Sequence, residues 1–179
     1  MTLPNYFLAD LPPEATLSAP MIAEACQALK RNREQFLLPR ATASLVKLLA
    51  STAENWLHSD YSFRRLALER GPAATGFARA TLASGLDSFF AQLTGENLLA
   101  LLNQDLGHAN RLDELASSPL EQKSRRAAFA RGPEFLVHIA AGNLPNPALM
   151  SLVLGVLTRS AQFVKCATGT SYLPRLFAH

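Results

Sequence analysis

The chain has 179 residues, of which 49% are hydrophobic and 17% are charged, and its formal net charge is +3. This composition is typical of a globular protein and excludes a disordered chain. The positive charge is too small to require a nucleic-acid partner. The longest apolar stretch, over residues 148–157, is too short to span a membrane.

The first part of the chain shows the periodicity of amphipathic helices. Ser18 and Pro20 predict a helix start. We expect Cys26 to lie on the apolar face of that helix and to be part of the protein core. Pro39 interrupts the pattern. Apolar residues at helical spacing over 45–56 predict a second helix.

Three further helices are expected over residues 60–106. Asp60 is a candidate cap for a helix through Arg70, which Gly71 and Pro72 would close. The pattern over 77–93 predicts the next helix. A third covers residues 97–106, and Gly107 follows it as the C-cap.

A capping box starts the next predicted helix. Ser118 and Glu121 have the spacing of that motif, and Pro119 occupies the first helical position. We expect this helix to run to about Ala130.

The pattern then changes to short apolar runs separated by turns. It predicts a strand over 135–139, a helix over 148–158, a strand over 162–166 and the start of a helix over 172–179. This order is typical of a βαβ unit with parallel strands and a right-handed crossover.

The fold class is therefore α/β, with a helical N-terminal region over 1–130 and the opening of an α/β domain over 131–179. Two parallel strands leave both sheet edges open, whereas parallel sheets normally have both faces buried. We expect the natural chain to continue, or a partner to complete the sheet.

The candidate binding residues follow the two predicted strands, because ligands of open parallel sheets lie beyond the carboxyl ends of the strands. Gly142 allows close approach of the backbone, Asn143 offers an amide donor, and Lys165 offers a cation for a ribose or phosphate. Each has a simpler interpretation. Gly-Asn followed by Leu-Pro is also an ordinary turn, and a lysine that ends a strand is also an ordinary surface charge.

The remaining chemistry-bearing side chains give weaker signals. His138 lies inside the first strand and is interpreted as a hydrogen-bonded structural residue. Lys165 could lower the pKa of the Cys166 thiol, but no base stands beside it. The sequence shows no metal-ligand spacing, no dinucleotide fingerprint and no P-loop. It also has no serine nucleophile motif, so a thioesterase-like hydrolase is the least favoured function. Two distant cysteines and no secretory signal favour a reducing, cytoplasmic location.

Three segments together resemble a known family: HIAAGNLP over 138–145, LMSLVLGVL over 149–157 and SAQFVK over 160–165. They are similar to the central region of the LuxC-type acyl-CoA reductases, a branch of the aldehyde dehydrogenase superfamily that supplies fatty aldehyde in bacterial bioluminescence. Shorter segments upstream, such as DYSFRRLAL over 60–68, extend the likeness over most of residues 40–179.

The resemblance implies a Rossmann-like cofactor domain and NADPH-dependent reduction of a long-chain fatty acyl-CoA to an aldehyde through an acyl-cysteine thioester. It makes Asn143 the catalytic oxyanion donor and Lys165 a ribose contact. The backbone of residues Ile139, Ala140, Ala141 and Gly142 would line the cofactor cleft. A homo-oligomer or an acyl-transfer partner enzyme is compatible with this assignment.

The chain departs from the family pattern in two ways. The catalytic cysteine of the superfamily belongs to a later segment, and neither Cys26 nor Cys166 matches it, so we expect this N-terminal fragment alone to be inactive. Many relatives have Pro-Ser-Glu after the lysine, whereas Cys166 begins Cys-Ala-Thr here. The missing acidic residue favours NADP over NAD. Two alternatives stay open: another oxidoreductase of the superfamily, acting on aldehydes or acyl phosphates, or a non-catalytic helical interaction module.

Overall fold

The computed structural model of the chain describes residues 16–141, 147–167 and 170–179. Its α-helices are α1 Ala19–Asn32, α2 Thr42–Leu57, α3 Ser62–Thr75, α4 Arg79–Phe90, α5 Gly95–Leu106, α6 Pro119–Lys123, α7 Pro147–Leu157 and α8 Tyr172–Ala178. A π-helical turn, Arg33–Leu37, extends α1, and a 3-10 turn, Ala109–Leu112, follows α5. The strands are β1 Phe135–Ile139 and β2 Ala161–Lys165. Of these helices, none has both the length and the apolar character needed to cross a membrane.

Helix α1 begins where the sequence predicts. The Ser18 hydroxyl accepts a hydrogen bond from the backbone N–H of Met21 at 3.4 Å, which satisfies one of the free donors of the first turn. The helical run ends at Leu37, just before Pro39. The prediction that Cys26 is a core residue is wrong. Its side chain is half-buried, because α1 packs on the outside of the molecule and contains no fully buried residue.

Helix α3 differs from the prediction at both ends. Tyr61 rather than Asp60 precedes the first turn, and no side chain caps it. The helix runs through Gly71 and Pro72 and ends at Gly76, whose φ of 78° is the left-handed conformation that favours glycine. Pro72 removes only one backbone donor. The absent side chain of Gly71 lets a leucine of α4 pack directly on the helix, so tertiary packing outweighs the local signal to stop.

The two other predicted caps are confirmed. Gly107 has a φ of 77° and ends α5, with its N–H donating to the Asn103 carbonyl at 2.9 Å. Ser118 and Glu121 form a complete capping box at the start of α6.

Helix α6, however, ends at Lys123 and not near Ala130. Arg125 adopts a left-handed φ of 54°, and the chain then turns back. Ala128 pairs with Ala116 in an isolated antiparallel bridge, so the residues after α6 are extended. Helical periodicity could not reveal this pairing, because it depends on a partner twelve residues away.

The two strands pair in parallel, as predicted, from Phe135 opposite Ala161 to Ile139 opposite Lys165. The observed β2 begins and ends one residue earlier than the predicted strand over 162–166. Helix α7 connects the strands and packs against both of them, while α1 packs against β2. In the described part of the chain the sheet consists of these two strands.

One hydrophobic core continues from the helical region into the α/β part. Trp56 of α2 stacks on Phe90 of α4 with ring centroids 4.9 Å apart, and Phe177 of α8 approaches Phe90 at 5.8 Å. Leu157 of α7 and Leu173 of α8 are buried in the same cluster. Burying a side chain of this size contributes roughly 1.5–3 kcal/mol, so apolar packing holds the two parts together. A boundary near residue 130 stays a prediction.

A buried arginine adds a polar anchor between the two parts. Arg159 follows α7, and its guanidinium donates to the carbonyls of Arg40 and Leu112, both at 2.7 Å. It also donates to the Thr42 hydroxyl at 3.1 Å and pairs with the Asp113 carboxylate. Arg40 and Thr42 lie at the start of α2, and Leu112 and Asp113 lie at the end of the 3-10 turn. The anchor therefore fixes the end of α7, and the start of β2, on the helical region.

The backbone of Arg159, which carries this side chain, adopts a strained conformation. Its φ is 54°, at the position after a helix where glycine is usual. Its N–H donates to the Val156 carbonyl at 3.0 Å, and the Ser160 N–H donates to the Gly155 carbonyl at 2.9 Å, which is the Schellman pattern of a helix end. The Arg159 carbonyl accepts a further hydrogen bond from Arg33 at 2.6 Å.

Candidate functional site

The carboxyl end of the sheet brings two of the predicted binding residues side by side. The register sets Ile139 opposite Lys165, and both side chains are exposed, Ile139 to 79%. The Ala140 N–H donates to the Lys165 carbonyl at 3.0 Å and so holds the end of β1 against the end of β2. Because this N–H has a partner in the sheet, we expect a ligand here to use other groups.

One face of the sheet is only partly covered. Side chains alternate along a strand, so Phe135, Val137 and Ile139 share a face with Lys165. Lys30 of α1 lies over the Phe135 ring at 6.0 Å, which places α1 at the amino end of this face. Val137 is 62% exposed and Ile139 more so. The face therefore offers apolar surface beside a cation, an arrangement suited to a flat ring carrying a phosphate.

The opposite face is closed by α7 through a polar bridge. Gln162 of β2 donates its amide N–H to the Leu152 carbonyl at 3.1 Å, and its Oε1 lies 3.0 Å from Nε2 of His138. Since the amide nitrogen must face the carbonyl, Oε1 is the acceptor and the His138 ring donates from Nε2. Gly155 of α7 has no side chain, and a Cβ there would occupy the space of the Gln162 amide.

This bridge supports the interpretation of His138 as a hydrogen-bonded structural residue. Gln162 was missed in the sequence, because a glutamine in a strand shows only alternation. Glycine in the middle of the apolar helix α7 was the available signal. A glycine at such a position often marks the close approach of another group.

The Cys166 thiol follows Lys165, and burial raises its pKa above the ordinary value of 9.0. The charges of Arg175 and Lys165 act in the opposite direction but are smaller effects. The charge of Lys165 therefore does act to lower this pKa, as predicted, but removing the thiolate from water is the larger effect and the net change is upward. Cys166 is protonated at neutral pH and is a poor nucleophile.

The rest of the predicted site is only partly described. Ala141 is exposed and directly follows Ala140. Gly142 and Asn143 lie outside the described residues, so the expected convergence of Asn143 and Lys165 stays a prediction. No group of three or more potential metal ligands occurs among the residues that the structure describes.

These features define an α/β protein in which a parallel βαβ unit, with an exposed lysine and isoleucine at the carboxyl end of its sheet, packs on a helical region. The family described as Acyl-CoA reductase (LuxC) matches residues 38–179, and the chain belongs to that family. The resemblance seen in the sequence is thereby confirmed. The match begins just before α2 and runs through α8 to His179, so it includes the whole βαβ unit. Among curated proteins, none matches the chain significantly.

Proposed function

We propose that this chain forms the N-terminal part of an enzyme of the aldehyde dehydrogenase superfamily that reduces long-chain fatty acyl-CoA to fatty aldehyde with NADPH. Membership of the acyl-CoA reductase family supports the reaction class. The observation that carries the assignment of the site is the parallel register that sets Ile139 beside Lys165. We place the start of a Rossmann-like cofactor domain at this βαβ unit.

The residues at the carboxyl end of the sheet fit a phosphorylated nucleotide. Lys165 supplies a flexible ammonium that can meet a ribose hydroxyl or a phosphate oxygen. Exposed Ile139 supplies apolar surface that a ring can cover. Ala140 and Ala141 add backbone and small side chains that leave room for a ligand. In the sequence, Thr168 replaces the acidic residue of the Pro-Ser-Glu that many relatives carry after the lysine. Since a carboxylate there would repel a 2′-phosphate, its absence favours NADPH over NADH.

NADPH, when bound, supplies the hydride that reduces the acyl group. We assign the acyl-carrying nucleophile to a cysteine other than Cys166, because the raised pKa of that thiol keeps it protonated. The thiolate of such a cysteine attacks the thioester carbonyl, a new thioester forms, and CoA leaves as its thiolate. We assign Asn143 to donate its amide N–H to the oxyanion that forms. A donor of this kind is worth roughly 3–4 kcal/mol in the transition state.

The open sheet supports the view that more polypeptide belongs to this unit. Ile139 and Val137 are strongly exposed although they are β-branched residues of a strand. Parallel strands are usually covered on both faces and paired at both edges. Further polypeptide, from elsewhere in the same protein or from a partner subunit, would pair with an open edge and cover this face. Both described cysteines are unpaired, which accords with a reducing compartment such as the cytoplasm.

Titration of the chain with NADPH, followed by cofactor fluorescence, tests the site. We expect Lys165→Ala to weaken NADPH binding by at least about tenfold, since a hydrogen bond to a charged group contributes roughly 1.5–3 kcal/mol. The matched control is Lys47→Ala, which removes an exposed lysine of α2 and should leave the affinity unchanged. Equal affinities of both variants and the parent chain, or the absence of NADPH binding, would contradict the assignment of the site.

Product analysis tests the reaction. Incubation of the chain with palmitoyl-CoA and NADPH should give no aldehyde, because the proposed nucleophile is neither Cys26 nor Cys166. Aldehyde formation that disappears in Cys166→Ser would place the nucleophile in this chain. Acyl phosphate and aldehyde substrates, assayed in parallel with any longer polypeptide that contains this sequence, separate acyl-CoA reduction from the two related reactions.

A further inference from the structure

The segment between the 3-10 turn and β1 is a closed and well-braced surface loop, here called the 113–131 loop. The antiparallel bridge between Ala116 and Ala128 joins its two arms. The Ala130 N–H donates to the Arg111 carbonyl at 2.7 Å and closes its base. The Arg111 guanidinium also pairs with the Glu121 carboxylate, which ties the short helix α6 to the base. The loop can therefore present side chains in fixed positions.

Three large apolar side chains project from this loop into solvent. Leu120 is 77% exposed, Leu115 is 71% exposed and Phe129 is 46% exposed. Leu115 and Phe129 flank the bridge as a cross-strand pair, so they are neighbours. A well-braced loop that exposes three such side chains within fifteen residues is unusual, because exposed apolar groups normally occur singly.

The same loop carries four exposed cations: Lys123, Arg125, Arg126 and Arg131. Lys123 lies three residues after Leu120 on α6 and so shares its face. The sequence from 122 to 131 contains no acidic residue. Of the three carboxylates earlier in the loop, Glu121 pairs with Arg111 and Asp113 with Arg159, while the exposed Glu114 accepts a hydrogen bond from Asn110 at 3.3 Å. Four cations against three carboxylates leave the loop with a net positive charge.

We propose that the 113–131 loop docks this protein on an anionic phospholipid surface. Lipid phosphates and carboxylates attract the cations, while the three apolar side chains enter the boundary between headgroups and acyl chains. Separate protruding side chains fit a bilayer, which needs no matching cavity, better than they fit the surface of an acidic protein. This docking does not depend on the proposed reaction, and either can fail without the other.

Co-sedimentation of the chain with vesicles tests the proposal. Vesicles of phosphatidylcholine containing about 30% phosphatidylserine should bind the chain, and vesicles of phosphatidylcholine alone should bind it far less. The double variant Lys123→Gln/Arg126→Gln should lower partition into the anionic vesicles about 25-fold, or about fivefold for each cation near the surface. The control Lys47→Gln/Arg79→Gln removes the same charge from α2 and α4 and should change partition less than twofold.

A second variant keeps the test valid if charge alone brings the chain to the vesicles. Leu115→Ser/Leu120→Ser retains every cation and should lower partition by at least tenfold, without changing the thermal midpoint measured by circular dichroism. Leu48→Ser on α2 is the matched apolar control. Equal sedimentation with neutral and anionic vesicles, equal effects of the control and loop variants, or the absence of vesicle binding would each overturn the proposal. The last result would direct the search to an acidic protein surface.

Discussion

Replacing Arg159 with alanine tests whether a polar anchor holds the α/β unit on the helical region. The side chain is buried, and its guanidinium bonds to the carbonyls of Arg40 and Leu112 and to the Thr42 hydroxyl. Truncation removes these bonds and leaves the Asp113 carboxylate without its cation. The loss therefore combines missing hydrogen bonds with an uncompensated, partly buried charge.

The expected magnitude follows from these contacts. Breaking a buried ion pair by removing one partner costs about 3–5 kcal/mol. The Asp113 side chain is 29% exposed, so water compensates part of the loss and we expect about 3 kcal/mol for Arg159→Ala. The variant Arg159→Gly loses the same contacts, but glycine adopts the left-handed φ of 54° without strain. Arg159→Gly should therefore be more stable than Arg159→Ala by about 1 kcal/mol.

Urea unfolding followed by circular dichroism measures these free energies of unfolding. The matched control is Arg125→Gly, because Arg125 has the same left-handed φ after a helix but an exposed side chain. That control should raise the free energy of unfolding by roughly 0.5–1 kcal/mol. If Arg159→Ala unfolds within about 0.5 kcal/mol of the parent chain, or if the alanine and glycine variants coincide, the anchor does not work as described.

Three other predictions follow from single contacts. In Cys26→Ser, the rate at which Cys166 reacts with a disulfide reagent should rise with pH with a midpoint above 9.0, because burial raises the pKa of this thiol; a midpoint below neutrality would contradict that cause. Hydrogen bonds from Ser118 and the nearby Arg111 lower the pKa of Glu121 below 4.5, so its stabilisation is complete above 4.5 and is lost as the pH falls through the lowered value. Glu121→Gln should remove that part of the acid dependence of the unfolding midpoint, and an unchanged acid limb would refute it. Gly155→Ala should cost about 2 kcal/mol in urea unfolding, because the added Cβ displaces the Gln162 amide, whereas a cost below about 0.5 kcal/mol would show that the amide can move freely.

The sequence predicted the elements whose signals are local. The caps at Ser18 and Gly107 were found correctly, as were β1 and the parallel pairing, because capping residues and short apolar runs act within a few positions. The errors arose where distant packing decides. Helix α3 continues through Gly71 because another helix packs there, and the expected helix to Ala130 is replaced by a bridge to a residue earlier in the chain.

The candidate site shows the same division. The sequence predicted parallel strands whose carboxyl ends carry Ile139 and Lys165, and the register sets these two residues side by side. The expected convergence of Asn143 with Lys165 stays a prediction. Gln162 was missed, because its role depends on a helix carbonyl and on a histidine from the neighbouring strand, and Gly155 was the one indirect signal. From the sequence, the charge of Lys165 was expected to lower the pKa of the Cys166 thiol. Burial, which a sequence does not state, proved the larger effect.

The polar anchor and the candidate site lie at opposite ends of β2. Arg159 precedes the strand and Lys165 ends it, and five residues of strand span roughly 17 Å. Because the anchor holds the amino end of β2, a ligand at the carboxyl end of the strand would not have to displace any core residue. Sites this far apart, with no shared partner, should act independently. Arg159→Ala should therefore lower stability but leave the NADPH affinity of the folded chain unchanged, and Lys165→Ala should do the reverse. If the double variant lost more or less stability, or more or less NADPH affinity, than the two single variants together lose of that same quantity, the strand would be transmitting strain from its anchored end to its carboxyl end.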